Sequence, residues 1–142
     1  MSDQDLVNLY SGRILSLAAS IPRQGRLETP DGSAKRRAPM CGSTITFDVQ
    51  LKDGRISDFA QEVRACALGQ ASASLLGNIL QGLSRDDLAA GRAAVAQMLE
   101  SGTLPQGAFA GYEVLIPARD YKNRHGSILL CFDAALAAID AA

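Results

Sequence analysis

The stretch Thr44-Ile45-Thr46-Phe47-Asp48-Val49-Gln50-Leu51, followed by Lys52-Asp53-Gly54-Arg55 and then by Ile56 to Val63, decides the fold. Alternation puts Ile45, Phe47, Val49 and Leu51 on one face, the pattern of a half-buried strand. Asp53-Gly54 suits the positive backbone angles of a tight hairpin turn, so Ile56 to Val63 is read as the partner strand. A hairpin has one consequence for everything around it. The start of its first strand and the end of its second lie at the same end of the sheet.

Upstream, Pro22, Gly25, Pro30, Gly32 and Pro39 give residues 23–39 the look of a loop, with Leu27 and Thr29 a short edge strand at most. Before it, Leu6, Leu9, Tyr10, Ile14 and Leu17 recur at helical spacing from Asp3 to Ala19. Ser2 or Asp3 is the expected cap, and Ile21-Pro22 the stop. Downstream, residues 67–80 are small and apolar and read as a buried helix closed by Gly82. Ser84-Arg85-Asp86-Asp87 opens another that runs to about Leu99. Residues 102–111 read as loop, and Tyr112-Glu113-Val114-Leu115-Ile116-Pro117 is a short apolar run of open type. Asn123 to Ser127 leads into a last helix through Ala141, with Leu129, Phe132, Leu136 and Ile139 as its core face. The fold class is α+β, with helices packed mainly on one face of a small antiparallel sheet.

A length of 142 residues with 47% apolar and 20% charged residues suits one domain that closes its own core. The net charge of −1 exerts no global pull on nucleic acid or lipid, and no basic helix or aromatic platform stands out. The acidic N-terminus lacks the order of a signal peptide and no run reaches membrane-spanning length, so a cytoplasmic location is expected. Three cysteines in a reducing compartment argue against a disulfide framework and leave packing, metal binding or reactive thiols.

Three short segments carry the chemistry. Met40-Cys41-Gly42-Ser43 lies where a loop leads into the first strand. Cys66, in Ala65-Cys66-Ala67-Leu68-Gly69, lies where the second strand gives way to a helix. Arg124-His125-Gly126-Ser127 lies where the last helix begins. The hairpin brings the first two to one end of the sheet. A thiol before a helix N-terminus faces unpaired N–H groups and the positive end of the helix dipole, both of which favour thiolate. Thiolates with a neutral imidazole suit zinc and iron–sulfur clusters.

The whole pattern resembles an iron–sulfur cluster assembly scaffold of the NifU/IscU type, with the SufE/NifU-like fold. Tyr10-Ser11 followed by Ile21-Pro22-Arg23-Gln24-Gly25 is similar to the family's opening, and Ala38-Pro39-Met40-Cys41-Gly42 to its first cysteine motif. Cys66 with Ala71-Ser72-Ala73-Ser74 is similar to the second, and Gly82-Leu83-Ser84-Arg85-Asp86 to the turn between helices. The resemblance covers roughly residues 5 to 140 and implies one domain over residues 1–142. It also implies a metal site at Cys41, Cys66 and His125, holding zinc or a transient iron–sulfur cluster. A cysteine desulfurase, cluster acceptor proteins and a homodimer are the implied partners. Two family positions depart. Ser43 stands where the family has aspartate, a poor substitute ligand, and Gly126 stands where it has its third cysteine. Cys131 lies five residues past Gly126, about 140° around a helix, and is expected to be packing.

Lys35-Arg36-Arg37 reads as a solvated basic loop or as a docking patch for an acidic partner, near the end where family scaffolds engage the desulfurase. Three functional readings follow: a non-enzymatic scaffold or carrier, a degenerate relative that binds partners without assembling clusters, and a sulfur transferase working through Cys66.

Overall fold

The computed structural model describes residues 10–40 and 42–142. The hairpin is as expected. Strand β2 (Thr44–Lys52) pairs antiparallel with β3 (Arg55–Arg64), Thr44 opposite Arg64 and Lys52 opposite Arg55, with a bulge at Gln50/Leu51. Asp53 (φ 53°) and Gly54 (φ 76°) both occupy the left-handed region that a two-residue turn of this kind requires.

The loop expected over residues 23–39 contains a strand instead. Strand β1 (Gly32–Arg37) pairs antiparallel with β2, Gly32 opposite Val49 and Arg37 opposite Thr44, giving the sheet order β1-β2-β3. Leu27 and Thr29 are not in it. Gly-Ser-Ala-Lys-Arg-Arg has no β-branched or aromatic residue and little strand propensity. Its ladder to β2 holds it, and a charged edge strand also discourages pairing with another chain.

Helix α1 (Gly12–Ala18) begins later than expected, because Ser11 caps it by accepting from the Ile14 N–H at 3.4 Å. Tyr10 precedes it, and the expected turns from Asp3 to Leu9 lie outside the described residues. Helix α2 (Ala67–Gly77) is buried through its small residues, as expected, and ends three positions early in a turn tied to β3 by Ile56 N–H to Leu83 O at 2.9 Å. Helix α3 (Arg85–Ser101) has the full capping box, Ser84 with Asp87, and a left-handed Gly102 at its end.

Residues Gly107–Asp120 form a 3₁₀ helix, followed by a short one over Lys122–Arg124. Phe109, Tyr112, Leu115 and Ala118 recur every three residues and are all buried. That is the 3₁₀ period, and it fits neither the strand nor the α-helix template. Helix α4 (His125–Asp140) buries Ile128, Cys131, Phe132, Ala135 and Ala138. Leu129, Leu136 and Ile139, expected on the core face, are only half-buried. The apolar residues run almost all the way round this helix, so periodicity alone misplaced its buried centre.

Ile45, Phe47 and Val49 point from the sheet into the core, where Phe47 stacks on Phe59 at 5.7 Å. Helix α4 lies across β1 and β2. A Cβ on Gly32 would fall 2.0 Å from Ala138 O, so glycine permits the close approach. The architecture is α+β with its helices on one face of the sheet. Asp48 is on the opposite face, yet it is fully buried. Its carboxylate accepts from Arg26 Nε (2.8 Å) and Nη2 (3.0 Å), Leu27 N–H (3.0 Å) and Ser33 Oγ–H (2.6 Å), which clamps residues 26–33 to the sheet. No helix among the described residues is long and apolar enough to cross a membrane.

Candidate functional site

At the end of the sheet opposite the Asp53-Gly54 turn, three elements meet. Ser43 leads into β2, Cys66 follows β3 and caps α2, and Ser127 lies in the first turn of α4. The Ser127 hydroxyl is 3.1 Å from Ser43 Oγ and 3.5 Å from Cys66 Sγ. Two proton arrangements satisfy both contacts: a Cys66 thiol donates to Ser127 and Ser127 to Ser43, or Ser43 donates to Ser127 and Ser127 to a Cys66 thiolate. The second stabilises negative charge on the sulfur. Gly69 makes this contact possible. A Cβ there would lie 2.4 Å from Ser127 Oγ and 2.8 Å from Ala65 Cβ, so any side chain would displace the hydroxyl.

Cys66 is half-buried, and burial alone would push its thiol up. The polar groups that face the sulfur outweigh that. The Ser127 hydroxyl, the Gly69 N–H, the Arg124 guanidinium and the Leu68 N–H together bring the thiol below its ordinary range. The two N–H groups belong to the first turn of α2. Neither closes a capping bond on the sulfur, but both lie toward it and favour negative charge.

His125 opens α4 as expected. Its Nε2 is 3.1 Å from Ala118 O and 2.9 Å from Arg119 O. Carbonyls only accept, so Nε2 carries a proton, and Nδ1 is the ring nitrogen left for another partner. A backbone carbonyl holding one ring N–H is the usual support for an imidazole that ligates through the other nitrogen. Gly126 is exposed, and a Cβ there would meet nothing nearer than Ala38 Cβ at 4.0 Å. Cys41 lies outside the described residues. Its flanks are tied at this same end by Ala38 N–H to Ser43 O (2.8 Å) and Gly42 N–H to Ala38 O (3.0 Å). Among the described residues no three His, Cys, Asp or Glu side chains cluster as a metal group. Cys66 and His125 offer donor types, a thiolate and an imidazole nitrogen, that suit zinc or an iron–sulfur cargo.

Cys131 is packing, as expected. It is fully buried, 3.3 Å from Ser72 Oγ and 3.9 Å from Tyr112 Oη, and burial pushes its thiol up to about 11. In a Cys41→Ala background at pH 8, iodoacetamide is therefore expected to label Cys66 at least tenfold faster than Cys131. Peptide mass spectrometry reads the two sites, and comparable rates would contradict this assignment.

Lys35, Arg36 and Arg37 are not in a loop. They lie in β1 and alternate across it. By register Lys35 and Arg37 sit opposite Thr46 and Thr44 on the outer face and Arg36 opposite Ile45. Arg36 borders a groove with Asp133 and Asp140 of α4, and Arg37, at the end of the strand, borders it too. Ser127, Arg124 and Gly69 have no role that is legible from the sequence alone. A serine in a helix's first turn signals a cap, and only the fold shows it beside Cys66.

Comparison with known proteins agrees with this fold. Residues 9–126 match the family described as NifU-like N terminal domain. Two proteins of Archaeoglobus fulgidus, the iron–sulfur cluster assembly scaffold proteins IscU 1 and IscU 2, are each 29% identical over 99 residues. The match takes in 69% of this chain and 63% of theirs, so the chain spans less than two thirds of their length. The crystal structure of a nitrogen-fixing NifU-like protein (N-terminal) from Brucella abortus superposes with a TM-score of 0.91 at 42% identity, covering 96% of this chain and 95% of that one. A Thermotoga maritima scaffold protein, IscU, is 34% identical over 68 residues, 48% of each chain. This chain belongs to the NifU-like N-terminal domain family.

Proposed function

We propose that this protein is an iron–sulfur cluster assembly scaffold or carrier, holding iron, zinc or a nascent cluster through Cys41, Cys66 and His125. The observation that carries the reading is Cys66. Its thiolate is favoured by Ser127, Arg124 and the start of α2, at the end of the sheet where β3 gives way to α2 beside the first turn of α4. The cluster is cargo. A cysteine desulfurase supplies sulfur, acceptor proteins take the product, and the chain's part is binding and transfer without turnover. Three protein ligands leave one coordination position open, which suits binding that must be reversed.

A second reading has a specific observation in its favour: among the described residues Cys66 is the one activated thiol and has no cluster of ligand side chains around it. In that case Cys66 would carry persulfide sulfur by itself. Single variants separate the two readings. After anaerobic incubation with iron and sulfide, the scaffold reading expects Cys41→Ala and Cys66→Ala to lose bound iron alike. Loss of sulfur uptake from a desulfurase in Cys66→Ala alone, with metal content unchanged, would replace it with the transfer reading.

A further inference from the structure

The outer face of the sheet is divided in two. Near the Asp53-Gly54 turn it lies under the loop that Asp48 clamps, with Gln50 Nε2 also donating to Thr29 O at 2.9 Å. Near Cys66 it is open. Register sets two rows across it, Lys35–Thr46–Glu62 and Arg37–Thr44–Arg64. The four charged residues are exposed and the two threonines half-exposed. A two-residue step along a strand is about 6.7 Å and two strand spacings are about 9.6 Å, so the backbone positions of Lys35, Arg37 and Arg64 form a compact triangle, with Arg37 at its border with the groove beside α4.

The ion pairs among the described residues join Arg23–Asp58, Arg26–Asp48, Arg26–Glu62, Arg55–Asp87, Arg85–Asp140 and Arg92–Asp133. Lys35, Arg37 and Arg64 are in none of them. A chain with net charge −1 thus has three exposed cations and one exposed carboxylate on this half-face, at the end of the sheet where β3 leads to Cys66.

We infer that this open half-face is a docking surface for an acidic segment of a partner protein. The inference rests on the scaffold reading only for the reason a partner should come to the Cys66 end. The surface chemistry chooses the kind of partner. Three cations around hydroxyls, with Glu62 at one corner, match a protein surface of carboxylates that also offers a donor. Nucleic acid would meet that carboxylate and find no aromatic side chain to stack on. A membrane would find no large apolar group to bury.

The test uses a fluorescent poly-glutamate peptide, with single-stranded RNA and phosphatidylserine vesicles as competing classes. The variant Lys35→Glu/Arg37→Glu/Arg64→Glu is expected to lose peptide affinity by at least tenfold. Arg36→Glu, on the other side of the same strand, should change it less than twofold. An equal loss in Arg36→Glu, or tighter binding of RNA or vesicles than of peptide, overturns the inference. Circular dichroism shows whether these exposed-site variants fold. Metal content, read in parallel, separates the two ideas: a failed docking surface leaves metal in place, and a failed scaffold reading does not depend on peptide binding.

Discussion

Gly126→Cys should raise the affinity of the protein for zinc and ferrous iron by tenfold or more. Changes in groups that merely support a metal ligand alter affinity by about 10–100-fold, so an added thiolate should do at least as much. The backbone allows it. Gly126 is the second residue of α4, in the helical region without a positive φ, and a side chain there meets only Ala38 at an ordinary contact distance. The new thiol would stand in the first turn of a helix, where thiolate is favoured, between His125 and the serine that touches Cys66. Gly126→Ser is the control, with similar size and no soft ligand. Titration against a chelating dye measures both. An affinity gain in neither variant would mean the site is not arranged around a metal.

Asp48→Ala should destabilise the fold by about 3 kcal/mol, because it leaves the Leu27 N–H and Ser33 hydroxyl without their acceptor and frees the loop they hold. Arg26 is half-exposed and can turn to water, which keeps the loss below that of a fully buried pair. The pH dependence follows from the same contacts. Burial pushes the Asp48 carboxyl up, but the hydrogen bonds from Arg26, Ser33 and Leu27 outweigh it and hold it below the usual range. A depressed carboxyl stabilises the native state above its unfolded pKa of about 3.9, and that contribution disappears as pH falls further. Urea unfolding should therefore show the full gap between wild type and variant at neutral pH and a smaller one at about pH 3. A gap that is constant with pH would remove the charged clamp from the account.

The parts of the fold that were legible in sequence have strong local chemistry. Strict alternation from Ile45 to Leu51 and the Asp53-Gly54 turn settle the hairpin, and Ser84 with Asp87 marks the start of α3. Strand β1 was hidden because its residues have no preference of their own for a strand and owe their conformation to β2. The 3₁₀ run was hidden because its buried side chains recur every three residues. The site was legible in the same uneven way. Cys66 and His125 could be placed at helix starts, and the exclusion of Cys131 followed from helix geometry. The hydroxyl bridge from Ser43 through Ser127 to Cys66 could not, since it depends on the missing side chain of Gly69 in another helix. The basic run was legible as charge but not as a surface. Pleating sends Arg36 away from its neighbours and puts Arg64 of β3 beside them.

The central claim is that Cys41 and Cys66 hold metal or cluster cargo together. The direct measurement is the iron, zinc and acid-labile sulfide content of anaerobically purified protein beside the Cys41→Ala/Cys66→Ala variant. Near-stoichiometric metal in the wild type that vanishes in the variant is the expected result. No metal in either protein, even after iron and sulfide are supplied, would contradict it and leave a NifU-like fold without the chemistry proposed for it.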